Sequence, residues 1–260
     1  MSAAPAAALG IDLVLLAQSA TDSGAQVAAF EVGDYRDLVQ VREFAKKCDL
    51  LTFEHELIPI SVIRALENEG VKFYPTSESF IYSQDKAAMR EKLANYLAPK
   101  WQVVTKANEV LEYPAIAKSI SGGYDGRGVW KVNSESELSV ILLENPKLLV
   151  EELIEFDFEI SVMVARSPHG QAATWAPTQT VQSDGICTMT IAPAPELSEA
   201  LGQQAQQIAL SIAAEIKLVG VMAVEMFVKA DQLFINELAM RPHNSGHWTI
   251  DGSVTSQFEQ

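Results

Sequence analysis

Two glutamates, Glu225 and Glu237, interrupt the apolar stretches Val221-Met-Ala-Val-Glu225-Met-Phe-Val228 and Leu233-Phe-Ile-Asn236-Glu237-Leu238. The alternation predicts a hairpin joined through residues 229–232. With a three-residue loop the two carboxylates lie opposite each other, their Cβ atoms about 4.5–5.5 Å apart. Carboxylates so placed repel, so one must be protonated or a cation must sit between them. A hard, oxygen-seeking ion that keeps positions open for phosphate oxygens, Mg2+, suits Glu225 and Glu237. A register that sets Asn236 opposite Glu225, or two solvated acids on the hairpin's wet face, is the alternative.

Two further stretches could bind anions. Ser121-Gly-Gly-Tyr-Asp-Gly-Arg-Gly128 lies between the strand-like segments Pro114-Ala-Ile-Ala-Lys118 and Val129-Trp-Lys-Val132. Glycines free the backbone to approach a ligand, and bare N–H groups make an anion nest. A dinucleotide loop would open into a helix, whereas this one sits at a hairpin tip, with Lys118 closing one strand as a phosphate contact. A long plain hairpin loop is the alternative. Arg241-Pro-His-Asn-Ser-Gly-His247 concentrates a guanidinium, two imidazoles, an amide and a hydroxyl, a donor set for a small planar anion. His243 and His247 also have zinc-like spacing but lack a third ligand nearby in sequence, and a polar surface loop remains open.

Weaker signals are the paired acids of Leu149-Val-Glu-Glu-Leu-Ile154 and the strand-end acids of Thr52-Phe-Glu54-His-Glu56. Acids inside an apolar run are costly unless something polar is bound there. Glu54 and Glu56 share parity and face one side if their strand persists.

Alternating patterns must position these groups. Strands are predicted at 11–16, 48–53 and 71–74, and helices at 34–47 and 59–70, the second closed by Gly70. Short links between such units indicate a parallel α/β sheet. From residue 83 a charged helix at 84–96 leads into strands at 115–118, 129–132, 148–153, 159–166, 172–176, 186–191, 220–228 and 233–238, with one long helix at 196–216. This second region is α+β with antiparallel hairpins.

The 260 residues carry 19 basic and 34 acidic side chains, a net charge of −15, which argues against a duplex nucleic-acid binder. The two cysteines, Cys48 and Cys187, fit no metal spacing and are predicted to be buried thiols. No basic residue precedes the apolar run near residue 11, no run reaches membrane-spanning length, and the expected setting is the cytoplasm, with no membrane or nucleic-acid partner.

In this order the motifs resemble the ATP-grasp superfamily, and within it the N5-carboxyaminoimidazole ribonucleotide synthetases. The matching pieces are Thr52-Phe-Glu-His-Glu56, Gln84-Asp-Lys86, Gly122-Gly-Tyr-Asp-Gly-Arg-Gly128, 151–154, Glu159-Ile-Ser-Val162, Asn236-Glu237 and Arg241-Pro-His-Asn-Ser-Gly-His247. The resemblance implies a truncated Rossmann-like (pre-ATP-grasp) N-terminal domain over 1–80. An ATP-grasp domain follows over 81–260, in two subdomains split near 148–155. The family's glycine-rich opening strand and its C-terminal domain are expected to be absent.

The resemblance also implies roles. Lys86 and Lys118 would contact ATP phosphates under Gly123, Tyr124, Asp125, Gly126, Arg127 and Gly128. Glu151, Glu152, Leu153 and Ile154 would form the adenine-facing hinge, and Glu159 would hold the ribose. Glu225 and Glu237 would bind Mg2+ beside Asn236. Arg241, His243, Asn244 and Ser245 would hold bicarbonate, then carboxyphosphate. Glu54, Glu56, Tyr124, Asp125 and His247 would position the aminoimidazole ribonucleotide. The implied reaction is ATP-dependent carboxylation of that ribonucleotide in purine biosynthesis, by a homodimer whose product a mutase takes up. Another ATP-grasp carboxylate–amine ligase, or an ATP-binding fragment that does not turn over, is the alternative.

Overall fold

The computed structural model describes residues 1–260 except Leu111, residues 123–126 and residues 184–185. The N-terminal region holds α1 (Ala3–Leu9), β1 (Val14–Ala17), β2 (Ala29–Val32), α2 (Leu38–Ala45), α3 (Ile60–Asn68) and α4 (Ser77–Gln84). Then come α5 (Lys86–Lys92), β3 (Trp101–Val104), β4 (Ala115–Ser119), β5 (Val129–Val132), α6 (Glu135–Glu144) and β6 (Leu148–Glu152). The remainder comprises β7 (Phe158–Arg166), β8 (Ala172–Thr174), β9 (Thr178–Ser183), β10 (Ile186–Ile191), α7 (Glu199–Glu215), β11 (Gly220–Lys229), β12 (Gln232–Ala239) and α8 (Thr249–Gly252).

β1 and β2 pair in parallel, as short strands joined through intervening chain should in an α/β unit. The strands expected at 48–53 and 71–74 reduce to one parallel bridge, Leu51 to Phe73. The chain bends at 54–56, so the strand that would have set Glu54 and Glu56 on one side does not persist. The helix expected over 34–47 starts at Leu38 because Asp37 caps it, accepting from the N–H groups of Val39 and Gln40. The charged helix expected over 84–96 is the shorter α5, set off from α4 at Asp85. This residue takes an extended conformation, and its carboxylate accepts from the Ala88 N–H.

Two antiparallel sheets form the rest. β3-β6-β4-β5 make a four-stranded sheet covered by α6. β10-β9-β7-β11-β12 run side by side in a six-stranded sheet, with β8 also paired to β7. Ile160, Val162, Val164, Val224 and Met226 on one face of this sheet join the residues of α7 and of the N-terminal region in a single core. The four-stranded sheet has a separate core around Val104, Ala117, Val132, Leu138 and Val150.

α1, β2, α4, β3, α6, β9 and α8 have no counterpart in the sequence-based reading. α6 crowds its apolar side chains around the helix, burying Leu138 while Val140 and Leu143 face solvent, so it shows no clean stripe. β9 reads Thr-Gln-Thr-Val-Gln-Ser, a composition expected of a loop. Both cysteines are partly buried rather than enclosed.

Candidate functional site

The six-stranded sheet is apolar on the face toward α7; the other face is polar at one end and carries a small apolar cluster of Met163, Ala165, Val221, Ala223 and Ala239 at the other. Residues directly opposite across an antiparallel pair share a face. The register sets Ser161 on β7 opposite Glu225 on β11, and Glu225 opposite Glu237 on β12. Glu159 lies one step along β7, paired with Phe227 and with Thr180 on β9. Four polar side chains from three strands therefore line one patch of the sheet.

The pairing of Glu225 with Glu237 does not come from a three-residue loop. Lys229 pairs with Gln232 across the two-residue turn Ala230-Asp231, whose φ angles of 47° and 60° are those of the primed turns that match strand twist. Asp157 supports the turn by accepting the Ala230 N–H at 2.9 Å. Continued evenly, this register would bring Asn236 opposite Glu225. A β-bulge between the Glu225 and Met226 pairs takes up Asn236 and restores Glu237 to the facing position. Bulges re-aim side chains, and here the Asn236 amide oxygen accepts from Lys118 Nζ at 3.0 Å while the Glu237 carboxylate accepts from Lys86 Nζ.

Lys86 stands at the first position of α5, where the Asp85 cap and the bond from its own N–H to the Ile120 carbonyl (2.9 Å) fix the helix start. Gln84, just before, donates through its amide to the carbonyls of Glu56 and Ile58, at 2.7 and 2.5 Å. Lys118 ends the inner part of β4 and places Nζ 2.7 Å from Glu151 Oε2 on the neighbouring strand. The other oxygen of Glu151 accepts from Arg90 Nε at 2.6 Å. Arg90 also donates to the carbonyls of Ile235 and Asn236, at 2.7 and 2.8 Å, and so grips the bulged strand. Arg90 and Glu151 are each only 2% exposed, and every charge in this triad is paired.

These contacts account for the titration of the carboxylates. Burial and the neighbouring charge of Glu237 push Glu225 well above the ordinary carboxylate range. Burial acts the same way on Glu237, but the ammonium groups of Lys86 and Lys118 overcome it and hold Glu237 low. The same competition, burial against Lys118 and Arg90, leaves Glu151 lowered. Burial raises Glu159 and Glu56. One protonatable carboxyl thus faces one anionic carboxylate, with the Asn236 oxygen nearby. Three hard oxygen donors in that arrangement fit a cation of the Mg2+ type that draws its remaining ligands from phosphate and water.

The loop after β12 closes the patch. Arg241 Nε lies 3.3 Å from Glu56 Oε2, and the Met240 N–H donates to Glu56 Oε1 at 2.8 Å, tying this loop to the N-terminal region. His243 Nε2 is 3.3 Å from Glu225 Oε1 and Nδ1 is 2.8 Å from Ser245 Oγ, which in turn bonds Ser161 Oγ at 2.8 Å. Burial, then the charge of Arg241, depresses His243 to about 4. With the imidazole neutral, its contact with Glu225 is not an ion pair. The His247 ring lies against Phe258, its centroid 5.8 Å away, and Asn244 begins a short 3-10 turn. Among the described residues no group of three or more His, Cys, Asp or Glu side chains gathers to hold a metal, and no zinc site forms at His243 and His247.

The remaining residues read from sequence fall as follows. Glu54 accepts from Ser2 Oγ at 3.0 Å on the exposed rim. Glu152 accepts from the Lys100 N–H at 2.9 Å, and Leu153 and Ile154 follow the end of β6. The loop between β4 and β5 is closed by Ser119 N–H donating to the Gly128 carbonyl at 2.7 Å. Gly128 there has φ +73°, a conformation that favours glycine. Arg127 flanks Gly128 in this loop, whereas Gly123, Tyr124, Asp125 and Gly126 lie outside the described residues. Three participants have no role in the sequence reading. Arg90 lies one helical turn beyond Lys86, a spacing that could have revealed it. Ser161 shares strand parity with Glu159. Gln257, which bonds the backbone of His243, is 14 residues away and carries no local signal.

Comparison with known proteins agrees with this geometry. Residues 86–258 match the family model described as ATP-grasp domain, and residues 1–84 match the one described as ribonucleotide synthetase preATP-grasp domain. The N5-carboxyaminoimidazole ribonucleotide synthase of Mycobacterium tuberculosis is 43% identical over 269 residues, covering 98% of this chain and 63% of the relative. A crystal structure of an N5-carboxyaminoimidazole ribonucleotide synthetase in complex with ADP superposes with a TM-score of 0.92 at 32% identity, covering 100% of this chain and 71% of that one. The Aspergillus clavatus enzyme in complex with ADP and 5-aminoimidazole ribonucleotide gives a TM-score of 0.88 at 28% identity, covering 100% and 71%. The chain spans 63% of the length of the first curated relatives it matches. With an ATP-grasp domain behind a pre-ATP-grasp region, the chain belongs to the N5-carboxyaminoimidazole ribonucleotide synthetase family of ATP-grasp proteins.

Proposed function

We propose that the protein to which this chain belongs couples ATP cleavage to carboxylation of 5-aminoimidazole ribonucleotide by bicarbonate, yielding N5-carboxyaminoimidazole ribonucleotide for purine biosynthesis. The observation that carries the reading is the convergence of Lys86, Lys118, Asn236, Glu225 and Glu237 beneath the Arg241–His243 segment. This sets phosphate-binding cations, a cation-binding carboxylate pair and an anion loop side by side. Family membership and the ADP and 5-aminoimidazole ribonucleotide bound by the Aspergillus clavatus relative support the choice of substrates.

In this reading Lys86 and Lys118 exchange their protein carboxylate and amide partners for phosphate oxygens of ATP, neutralising charge on the transferring phosphoryl group. Glu225, Asn236 and Glu237 hold Mg2+. When bound, the ion supplies Lewis-acid stabilisation and a template for the phosphates. Arg241 and the neutral His243, with Asn244 and Ser245, orient bicarbonate so that one of its oxygens faces the γ-phosphorus. That oxygen attacks phosphorus, the bond to the β-phosphate oxygen breaks, and ADP leaves. The resulting carboxyphosphate then splits at its C–O bond into CO2 and phosphate. The exocyclic amine of the ribonucleotide captures the CO2 and gives up a proton. Glu151–Ile154 line the adenine, Glu159 takes the ribose, and Glu54, Glu56 and His247 sit toward the ribonucleotide.

Homodimerisation, a cytoplasmic setting and uptake of the product by a mutase belong to the same proposal. Among the described residues no helix is long and apolar enough to cross a membrane. The test is ADP release by the full-length protein, measured with and without bicarbonate and the ribonucleotide. The reading requires stimulation by both; ADP release indifferent to the ribonucleotide would overturn it.

A further inference from the structure

The Arg241–His247 loop is irregular, yet it must hold the His243 ring against Glu225 and the Ser245 hydroxyl against Ser161. Loops keep such geometry only when their backbone groups are bonded to something fixed. The fixed element here is Gln257. Its Oε1 accepts the His243 N–H at 2.8 Å, and its Nε2 donates to the His243 carbonyl, also at 2.8 Å. One side-chain amide thus satisfies both backbone groups of a single residue, as a neighbouring β-strand would. Gln257 is 1% exposed, and its own N–H donates to Thr249 Oγ1 at 3.0 Å. Thr249 Oγ1 in turn donates to the Gly246 carbonyl at 2.6 Å. Gly246 packs flat on the same amide: a Cβ there would stand 2.6 Å from Gln257 Oε1.

We infer that Gln257 is a positioning residue for the proposed bicarbonate step, a latch that fixes the backbone of His243 and thereby aims its imidazole and the Ser245 hydroxyl. Gln257 bonds only main chain in this loop and needs no contact with substrate, so its effect passes through His243. The inference rests on the functional reading above and adds to it the residue on which the anion loop depends.

The test compares wild type, Gln257→Leu and Gln257→Glu in the full-length protein. Gln257→Leu removes both bonds to His243. Gln257→Glu keeps the acceptor for the His243 N–H and sets an oxygen against the His243 carbonyl, so it remains informative if the leucine variant fails to fold. Both should lower kcat on the order of 10²-fold, the scale of a misplaced reacting group, and raise the bicarbonate KM while leaving the ATP KM unchanged. Hydrogen exchange should accelerate in the peptide spanning 241–248 and stay unchanged in β11. Unaltered kcat and exchange in a folded variant, or loss of protection spread evenly over the molecule, would overturn the latch. A wild-type protein that does not respond to bicarbonate would overturn the functional reading instead, and the exchange contrast would then judge the latch alone.

Discussion

β4 brings Lys118 to the site from a four-stranded sheet with a small core of its own. β11 and β12 bring Glu225 and Glu237 from a sheet whose apolar face shares one core with α7 and the N-terminal region. Where the two sheets meet at the site, the contacts are charged and polar: Lys118 with Asn236, Arg90 with Glu151 and with the carbonyls of the bulge. Apolar packing at this junction would leave no charged groups to meet the proposed nucleotide. Ion pairs hold the halves in register and leave groups that a phosphate can take over. The carboxylate half, by contrast, is braced from behind by the core and from above by Glu56, Gln84 and Gln257. Lys118 sits on the less supported half, whereas Lys86 and Arg90 stand on α5, whose Met89 and C-cap Leu93 belong to the larger core that also braces the aligned acids.

The largest effect that would break this contrast is expected at Glu237. Glu237→Gln removes the carboxylate that faces Glu225, and Mg2+-dependent ADP release should fall on the order of 10³-fold in steady-state assays, with the circular dichroism spectrum unchanged. Arg90→Met attacks the junction itself. It leaves Glu151 with Lys118 alone and frees two carbonyls at the bulge, so denaturant unfolding should show a loss of about 3–5 kcal/mol, the usual result of breaking a buried pair. Asp85→Ala removes the cap that separates α4 from α5 and sets the direction of Lys86. A cost of about 1 kcal/mol in thermal or denaturant unfolding is expected, with a rise in the ATP KM. The smallest change is a gain. Replacing Ala230-Asp231 by Asn-Gly suits the positive φ angles of that turn and should stabilise by about 0.5–1 kcal/mol, leaving activity alone because the bulge, not the turn, aligns Glu237.

Much of the carboxylate half was legible because its signals are local. The strands around Glu225 and Glu237, the long helix α7 and the hairpin flanking residues 120–128 follow from alternation and glycine placement. The bulge at Asn236 was not legible, because a bulge and a longer loop bring the same two residues together, and only the ladder separates them. The junction was hidden for another reason. Arg90 pairs with Glu151 at a separation of 61 residues, and Gln257 reaches back to His243, so neither leaves a periodic trace. The expected strands at 48–53 and 71–74 look complete in sequence, yet they contribute a single bridge.

In the proposed reaction bicarbonate, held by the loop at Arg241 and His243, attacks the γ-phosphorus of an ATP gripped by Lys86 and Lys118. Supplying 18O-labelled bicarbonate to the full-length protein, with ATP and 5-aminoimidazole ribonucleotide, and reading the phosphate by mass spectrometry tests that directly. One labelled oxygen from bicarbonate should appear in each inorganic phosphate released. Phosphate that takes its new oxygen from water would contradict the account.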